Sequence, residues 1–285
     1  MTSGTCLCGA VRYEIDGPFH TMLHCHCSIC RKNHGALFVT FVSAPLAGFR
    51  WLAGEDNITR YPSSDQFDRP FCKTCGSAVP MPSPALGLVF APAGTLEGDP
   101  GIRPQGHIFV GSKASWYEIT DALPQYAEYP PSFTMVRAVP GPARPTPKDG
   151  VVQGSCLCGD VAYEVTGAPS RAMNCHCGRC RHSRGSAHAT NLFVSPDHFR
   201  WVRGEGKVRQ YKVPEAQRFG VSFCARCGSK APHLIPEAPI VLIPEGSLDD
   251  PPDLDPLAHI FVGSKAPWFE IADGLPQYEE YPPRH

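Results

Sequence analysis

A run of cysteines written twice limits this chain more than anything else in it. His24-Cys25-His26-Cys27-Ser28-Ile29-Cys30-Arg31 returns as Asn174-Cys175-His176-Cys177-Gly178-Arg179-Cys180-Arg181. Thiols at i, i+2 and i+5 can reach one ion if the backbone folds once around it, and a tetrahedral zinc takes four ligands. Three protein ligands leave one position for water or a substrate atom, which is the arrangement of catalytic rather than structural zinc.

Two further pairs frame each run: Cys6-Leu7-Cys8-Gly9 with Cys72-Lys73-Thr74-Cys75-Gly76, and Cys156-Leu157-Cys158-Gly159 with Cys224-Ala225-Arg226-Cys227-Gly228. Each pair is followed by glycine, which takes the positive φ that lets a tight turn aim thiolates at a single metal. The spacing therefore predicts one closed four-cysteine zinc and one open three-cysteine zinc per half. Four Zn2+ per chain would use all fourteen cysteines.

A disulfide framework is the competing reading. Seven cysteines per half would strand one thiol in each, and a C-x-C pair bridges only with strain. At 285 residues the chain can bury a core without staples. Met1-Thr2-Ser3-Gly4 does not begin a charged n-region followed by an apolar h-region. Reduced, metal-bound thiols in a cytoplasmic protein are the expectation.

The runs belong to a tandem duplication. Cys6 maps to Cys156, Cys25 to Cys175 and Trp51 to Trp201, each 150 residues on, while Cys72 to Cys224 and His107 to His259 are 152 apart. A period this long means two domains rather than a solenoid, read here as 1–131 and 153–285. The joining stretch, 132–152, holds Pro140-Gly141-Pro142-Ala143-Arg144-Pro145 and reads as a semi-rigid linker.

Within each copy the hydrophobic period is two. Val11, Tyr13 and Ile15 alternate with polar residues, as do Val161, Tyr163 and Val165, predicting a half-buried strand after each first cysteine pair. Further short strands are expected at 36–42, 49–52, 58–61, 66–71, 86–91 and 107–110. One helical turn follows Cys30 and ends at Gly35. The fold class is all-β, with distant strands tied by the closed metal site.

Composition removes other classes. A formal net charge of −1 supplies no field for nucleic acid or an anionic membrane surface. No apolar run approaches the ~20 residues of a membrane-spanning helix. Nothing in the sequence sets an oligomeric state.

The order C-x-C-G, C-H-C-x-x-C-R-K, F-R-W-L-x-G-E, F-C-x-x-C-G-S and H-I-F-V-x-S-K-A-x-W resembles the glutathione-dependent formaldehyde-activating enzyme family, also called the centromere protein V/Gfa domain family. Each copy is covered almost end to end. The resemblance implies two tandem β-tent domains. It implies structural zinc on Cys6, Cys8, Cys72 and Cys75 and on Cys156, Cys158, Cys224 and Cys227, with open zinc on Cys25, Cys27 and Cys30 and on Cys175, Cys177 and Cys180. It also implies a carbon-sulfur lyase or synthase chemistry, joining glutathione to formaldehyde as S-hydroxymethylglutathione.

Zinc coordination would turn a thiol of pKa about 8.5 into a thiolate. Arg31 and Lys32 could hold a glutathione carboxylate, or could be solvated charge at a helix start. His26 and His176, between ligands, should face away from the metal into a hydrogen bond or packing. His24 could cap the first open site only, because the second copy has Asn174. The four tryptophans read as core, and His107 and His259 as structural. His188 stands where Phe38 stood, which makes the first half the expected active one. A non-catalytic zinc module binding a small thiol or a partner is the alternative function. A sulfoxide-reductase chemistry is excluded because it needs a cysteine left free of metal.

Overall fold

The structure, a computed structural model, describes residues 1–134, 136–235 and 237–283. Strands dominate both halves. The first contains β1 (Thr2–Thr5), β2 (Arg12–Ile15), β3 (Thr21–Cys25), α1 (Ser28–His34), β4 (Val39–Pro45), β5 (Phe49–Ala53), β6 (Ile58–Pro62), β7 (Asp68–Cys72), β8 (Met81–Ser83), β9 (Leu88–Pro92) and β10 (His107–Ile108). The second repeats this order as β11 (Val152–Ser155), β12 (Ala162–Val165), β13 (Arg171–Cys175), α2 (Gly178–Arg184), β14 (Ala189–Val194), β15 (Phe199–Arg203), β16 (Val208–Lys212), β17 (Gly220–Cys224), β18 (Lys230–Ala231), β19 (His233–Ile235), β20 (Ile240–Pro244), β21 (His259–Ile260) and β22 (Gln277–Tyr278), with β18 and β22 as two added short strands. No helix among the described residues is long and apolar enough to cross a membrane.

In each half a three-stranded sheet (β1-β2-β5, β11-β12-β15) carries the first cysteine pair, and a larger one (β10-β3-β4-β9-β8, β19-β20-β14-β13-β21-β22) carries the C-x-C-x-x-C run. The alternation at Tyr13 and Ile15 buries both on the core side of β2. The strand leading into each cysteine run was not foreseen. Met22, Leu23, His24 and Cys25 are all buried, so the two-residue alternation that marks a half-exposed strand is missing there. The strand expected over 107–110 stops at Ile108. Phe109 turns left-handed, φ 59°, and Val110–Ser112 makes a 3-10 turn; Phe261 does the same at φ 58°.

The halves interlock. Trp268, 2% exposed, is buried in the first half's core with Tyr13, Phe38 and Leu96, while Trp116 packs on the second half's core. α1 packs on the turn Glu245–Ser247, and α2 on the equivalent turn Ala93–Thr95. Glycine is required at both contacts. A Cβ on Gly246 would lie 2.4 Å from the Ala36 backbone, and one on Gly94 would lie 2.3 Å from Ser186 O. Polar ties cross the same seam: Asn33 Nδ2 donates to Cys227 O at 2.9 Å, and Ser186 Oγ to Phe38 O at 2.7 Å. The segment joining the halves lies along both. Gly141 rests against Ser28, Gln153 Nε2 donates to Thr146 O, and Lys148 pairs with Glu164.

Trp268→Ala should therefore destabilise the whole chain by about 3–5 kcal/mol, the range for emptying a large aromatic site. Chemical denaturation should show one transition shifted for both halves, and residues 1–150 alone should not fold. Glu245, buried at the seam, has its carboxyl pushed up to about 8 by burial. The stability linked to it is complete below the ordinary carboxylate pKa and is lost as pH rises towards 8. Glu245→Gln should remove that slope, so the variant gains on the parent between pH 5 and pH 8 in denaturation curves.

Candidate metal centres

Local geometry brings the sulfurs together. After β1 the chain turns through Cys6–Gly9, with Gly9 N donating to Cys6 O, and Val11 N donates to Cys6 Sγ at 3.3 Å. The turn after β7 returns Cys72 and Cys75 to the same point, with Gly76 N donating to Cys72 O and Asn57 Nδ2 to Cys72 Sγ. Cys6 and Cys8 sulfurs are 3.4 Å apart and Cys8 and Cys72 sulfurs 3.7 Å; the second half repeats this at 3.5 and 3.7 Å. These separations are far beyond the ~2.05 Å of a disulfide. In each group, all four ligand atoms lie within 4.8 Å of one another. Four soft donors at that spacing fit a tetrahedral zinc.

The three-cysteine groups sit where a buried strand meets a short helix. Cys25 ends β3, Cys27 caps α1 by accepting from Cys30 N at 3.3 Å, and Gly35 closes the helix in the left-handed region. Cys175, Cys177 and Cys180 repeat the arrangement on α2. The three sulfurs of each group also converge within 4.8 Å, and no fourth Cys, His, Asp or Glu joins them among the described residues. Flanking thiols hold the Cys27 thiol well below its ordinary range, with Arg69 and the Cys30 N–H adding to the effect. Cys177 is lowered in the same way, to about 3. The other two thiols of each triad are pushed up by the same neighbours and by burial, so without a cation each group holds one thiolate among three sulfurs, with one side free of protein ligands.

The histidines turn the other way. His26 Nε2 meets His107 Nδ1 at 2.8 Å, and His107 Nε2 meets both oxygens of Asp121 at 3.0 Å. Asp121 can only accept, so His107 carries its proton on Nε2 and His26 donates from its own Nε2. That leaves His26 Nδ1 as a bare acceptor, buried and without a partner. His176, His259 and Asp273 form the same chain in the second half. His24 bonds Thr40 at 2.8 Å and does not reach the sulfurs, and Asn174 accepts from Thr190 in its place.

Arg31 and Lys32 lie apart from the first triad's open side. Lys32 is buried, 2.7 Å from Asp249 and bonded to both oxygens of Ser155, all of the other half. Arg31 is buried over the Trp116 ring at 5.8 Å, where burial lowers its pKa to about 10. His182 occupies Lys32's place in α2 and reaches Glu97 at 3.2 Å.

What does face the first triad is a cavity of about 100 Å3 bordered by Leu23, Phe41, Phe90, Ile108 and Phe109, with Arg69 and Tyr129 at its side. Arg69 Nε donates to Ser63 Oγ at 3.0 Å, and its Nη1 lies 3.8 Å from Cys30 Sγ. Phe133, Val136 and Val139 of the joining segment close the outer wall. Sequence reasoning missed Arg69, Tyr129 and Asp121. The one available signal was Arg69's place three residues ahead of Cys72, in register with Tyr61 across β6 and β7.

Fold and donor sets together define a duplicated all-β protein with four cysteine clusters that could hold zinc. The chain belongs to the glutathione-dependent formaldehyde-activating enzyme family, whose model matches residues 1–112 and again 151–264. It is 28% identical over 127 residues to a Halomonas elongata protein named for the same activity, covering 42% of this chain and 81% of that one. A Rhodobacter sphaeroides protein of known crystal structure shares 31% identity over 34% of this chain and 89% of its own, with a TM-score of 0.30.

If Cys72 is a ligand of a closed centre, Cys72→Ser should lower bound zinc by one equivalent per chain in metal analysis. It should also lower stability by several kcal/mol, since structural zinc binding is folding free energy.

Proposed function

We propose that this chain joins a thiol to a small aldehyde at the first three-cysteine centre, as a carbon-sulfur synthase that also runs in reverse as a lyase. Glutathione and formaldehyde, the pair for which the family is named, are the reactants this reading takes as its starting point. Cys25, Cys27 and Cys30 would hold the open zinc, and Cys175, Cys177 and Cys180 its counterpart. Cys6, Cys8, Cys72 and Cys75, with Cys156, Cys158, Cys224 and Cys227, would hold the closed ones. The observation that carries the reading is a cavity against three convergent thiols that have no fourth protein ligand.

When bound there, zinc would supply a free coordination position and keep an incoming thiol as thiolate. The reaction balances without redox: the thiol gives up its proton, sulfur forms the new bond to the carbonyl carbon, and the oxygen takes a proton. Leu23, Phe41, Ile108 and Phe109 keep bulk water from the reacting atoms. Arg69, beside Cys30, offsets the net negative charge of three thiolates on a divalent ion. The Asp121–His107–His26 chain pins the residue between two ligands and so fixes where their sulfurs point.

The second centre has a different environment: Val221 replaces Arg69 and Asn191 replaces Phe41. For that half, metal binding without turnover is the preferred reading. Cys27→Ser should reduce thiol-formaldehyde exchange, followed by NMR, to the spontaneous rate while circular dichroism stays native. Cys177→Ser should keep most of the activity. Exchange no faster than background in the zinc-loaded parent would instead favour the binding-module reading.

A further inference from the structure

We infer that the first cavity selects a compact thiol bearing one carboxylate, a small mercapto acid, with Arg69 gripping the carboxylate. This deepens, and rests on, the reading of the triad as a thiol-accepting centre. Size is the first argument. About 100 Å3 beside the sulfurs, against roughly 10–15 Å3 for one water on the same kind of measure, has room for a sulfur, a few carbons and a carboxylate, so the rest of a tripeptide would lie outside it.

Chemistry of the wall is the second argument. The residues bordering the cavity are chiefly aliphatic and aromatic; the charged ones are Arg69 and Arg137, and no carboxylate lines it. An apolar wall with a cation fits an anion with an apolar frame. Arg69 is held for this purpose. Ser63 fixes its Nε at 3.0 Å, and its Nη1 is 3.8 Å from Cys30 Sγ. A ligand whose sulfur joins the three cysteines and whose carboxylate meets this guanidinium must carry the two groups only two or three carbons apart. Arginine suits a carboxylate through its planar pair of donors.

The outer wall adds a limit on length. Phe133 stacks on Tyr129 at 6.0 Å, and Tyr129 packs edge-on to Phe109 at 4.7 Å. A longer thiol would have to displace that stack. The second half supplies an internal contrast. Val221, buried, stands at the place of Arg69, and Arg184 of α2 is bonded to Asn191 at 2.9 Å.

The test uses the full chain loaded with cobalt(II), with Cys177→Ser to leave the first triad as the one open centre. Its absorption is titrated with 3-mercaptopropionate, 2-mercaptoethanol, cysteamine and glutathione. The expected result is 3-mercaptopropionate binding about tenfold or more tightly than 2-mercaptoethanol, the scale of a charge-assisted pair, with cysteamine weakest and glutathione weaker than the mercapto acid. Arg69→Gln should bring the 3-mercaptopropionate and 2-mercaptoethanol constants together, weakening the mercapto acid by at least tenfold more than the neutral thiol, while Arg69→Lys should keep part of the preference. Equal constants in the parent, tighter glutathione, or Arg69→Gln weakening every thiol alike would overturn the charge-and-size selection while leaving a thiol site in place. A spectrum that no thiol perturbs would overturn the underlying reading of the triad as well. The parent titrations decide the matter even if a variant fails to fold.

Discussion

Bringing thiolates together is the act on which the rest of this structure depends. Sulfurs 3.4–3.7 Å apart repel strongly once ionised. Left neutral, they are buried weak donors with little to gain from one another. A divalent cation would reconcile the two, and the sulfurs are placed to meet one by tight glycine turns, backbone N–H groups at Cys6 and Cys27, and a seryl oxygen 3.3 Å from Cys75. Each four-cysteine group then joins the start of one sheet to the end of another strand pair. A core of short strands with few residues between turns needs such a tie.

The triads have the opposite design. Three sulfurs converge with no fourth, and what lies beyond them is a cavity in the first half instead of a ligand. Holding such a site without collapse needs rigid surroundings. They come from behind, where Asp121, His107 and His26 are hydrogen-bonded in series, and from the side, where Phe109 accepts a left-handed backbone that aromatic residues rarely adopt. That conformation costs about 1–3 kcal/mol, and its recurrence at Phe261 marks it as a requirement of the turn that follows β10 and β21. The strand, the relay and the aromatic turn position the open side together.

Much of this was legible in the sequence, and the reasons are physical. Ligand spacing is a local property, so the grouping of Cys25, Cys27 and Cys30 needs no tertiary information. Tyr13 and Ile15 are buried as their alternation predicts, although Glu14 between them is buried as well, paired with Arg50, and the strand is not half-exposed. Gly35 ends α1 as expected, because only a residue without a Cβ turns left-handed cheaply. Other features were not legible. β3 is buried on both faces, and Arg69 acquires its meaning only from a neighbour 39 residues away. Lys32 looked like solvated or substrate-facing charge, yet its partners are Asp249 and Ser155 of the other copy. No periodicity announces that the tryptophan of one repeat fills the core of the other.

Exchange of core residues between copies explains how one duplication could yield two unlike centres. The seam fixes its equivalent positions pairwise: Lys32 with Asp249 and His182 with Glu97 are the same contact with different chemistry, one buried and strong, the other partly exposed. Because both copies lie on one chain, each side of such a contact can change without forcing the change on its twin, which a symmetric dimer of identical chains cannot do. Lys230 shows the freedom this gives. Its counterpart, Ala78, is apolar, while Lys230 crosses the seam to donate to Gly76 O beside the first four-cysteine cluster. Burial lowers its pKa to about 7, and the Cys75 sulfur is the main influence holding it up. A lysine beside one four-cysteine cluster and absent from the other breaks the symmetry there. Arg69 against Val221 breaks it at the three-cysteine groups. The second copy, as structural partner to the first, can keep its cysteines for folding while the surroundings of its triad diverge.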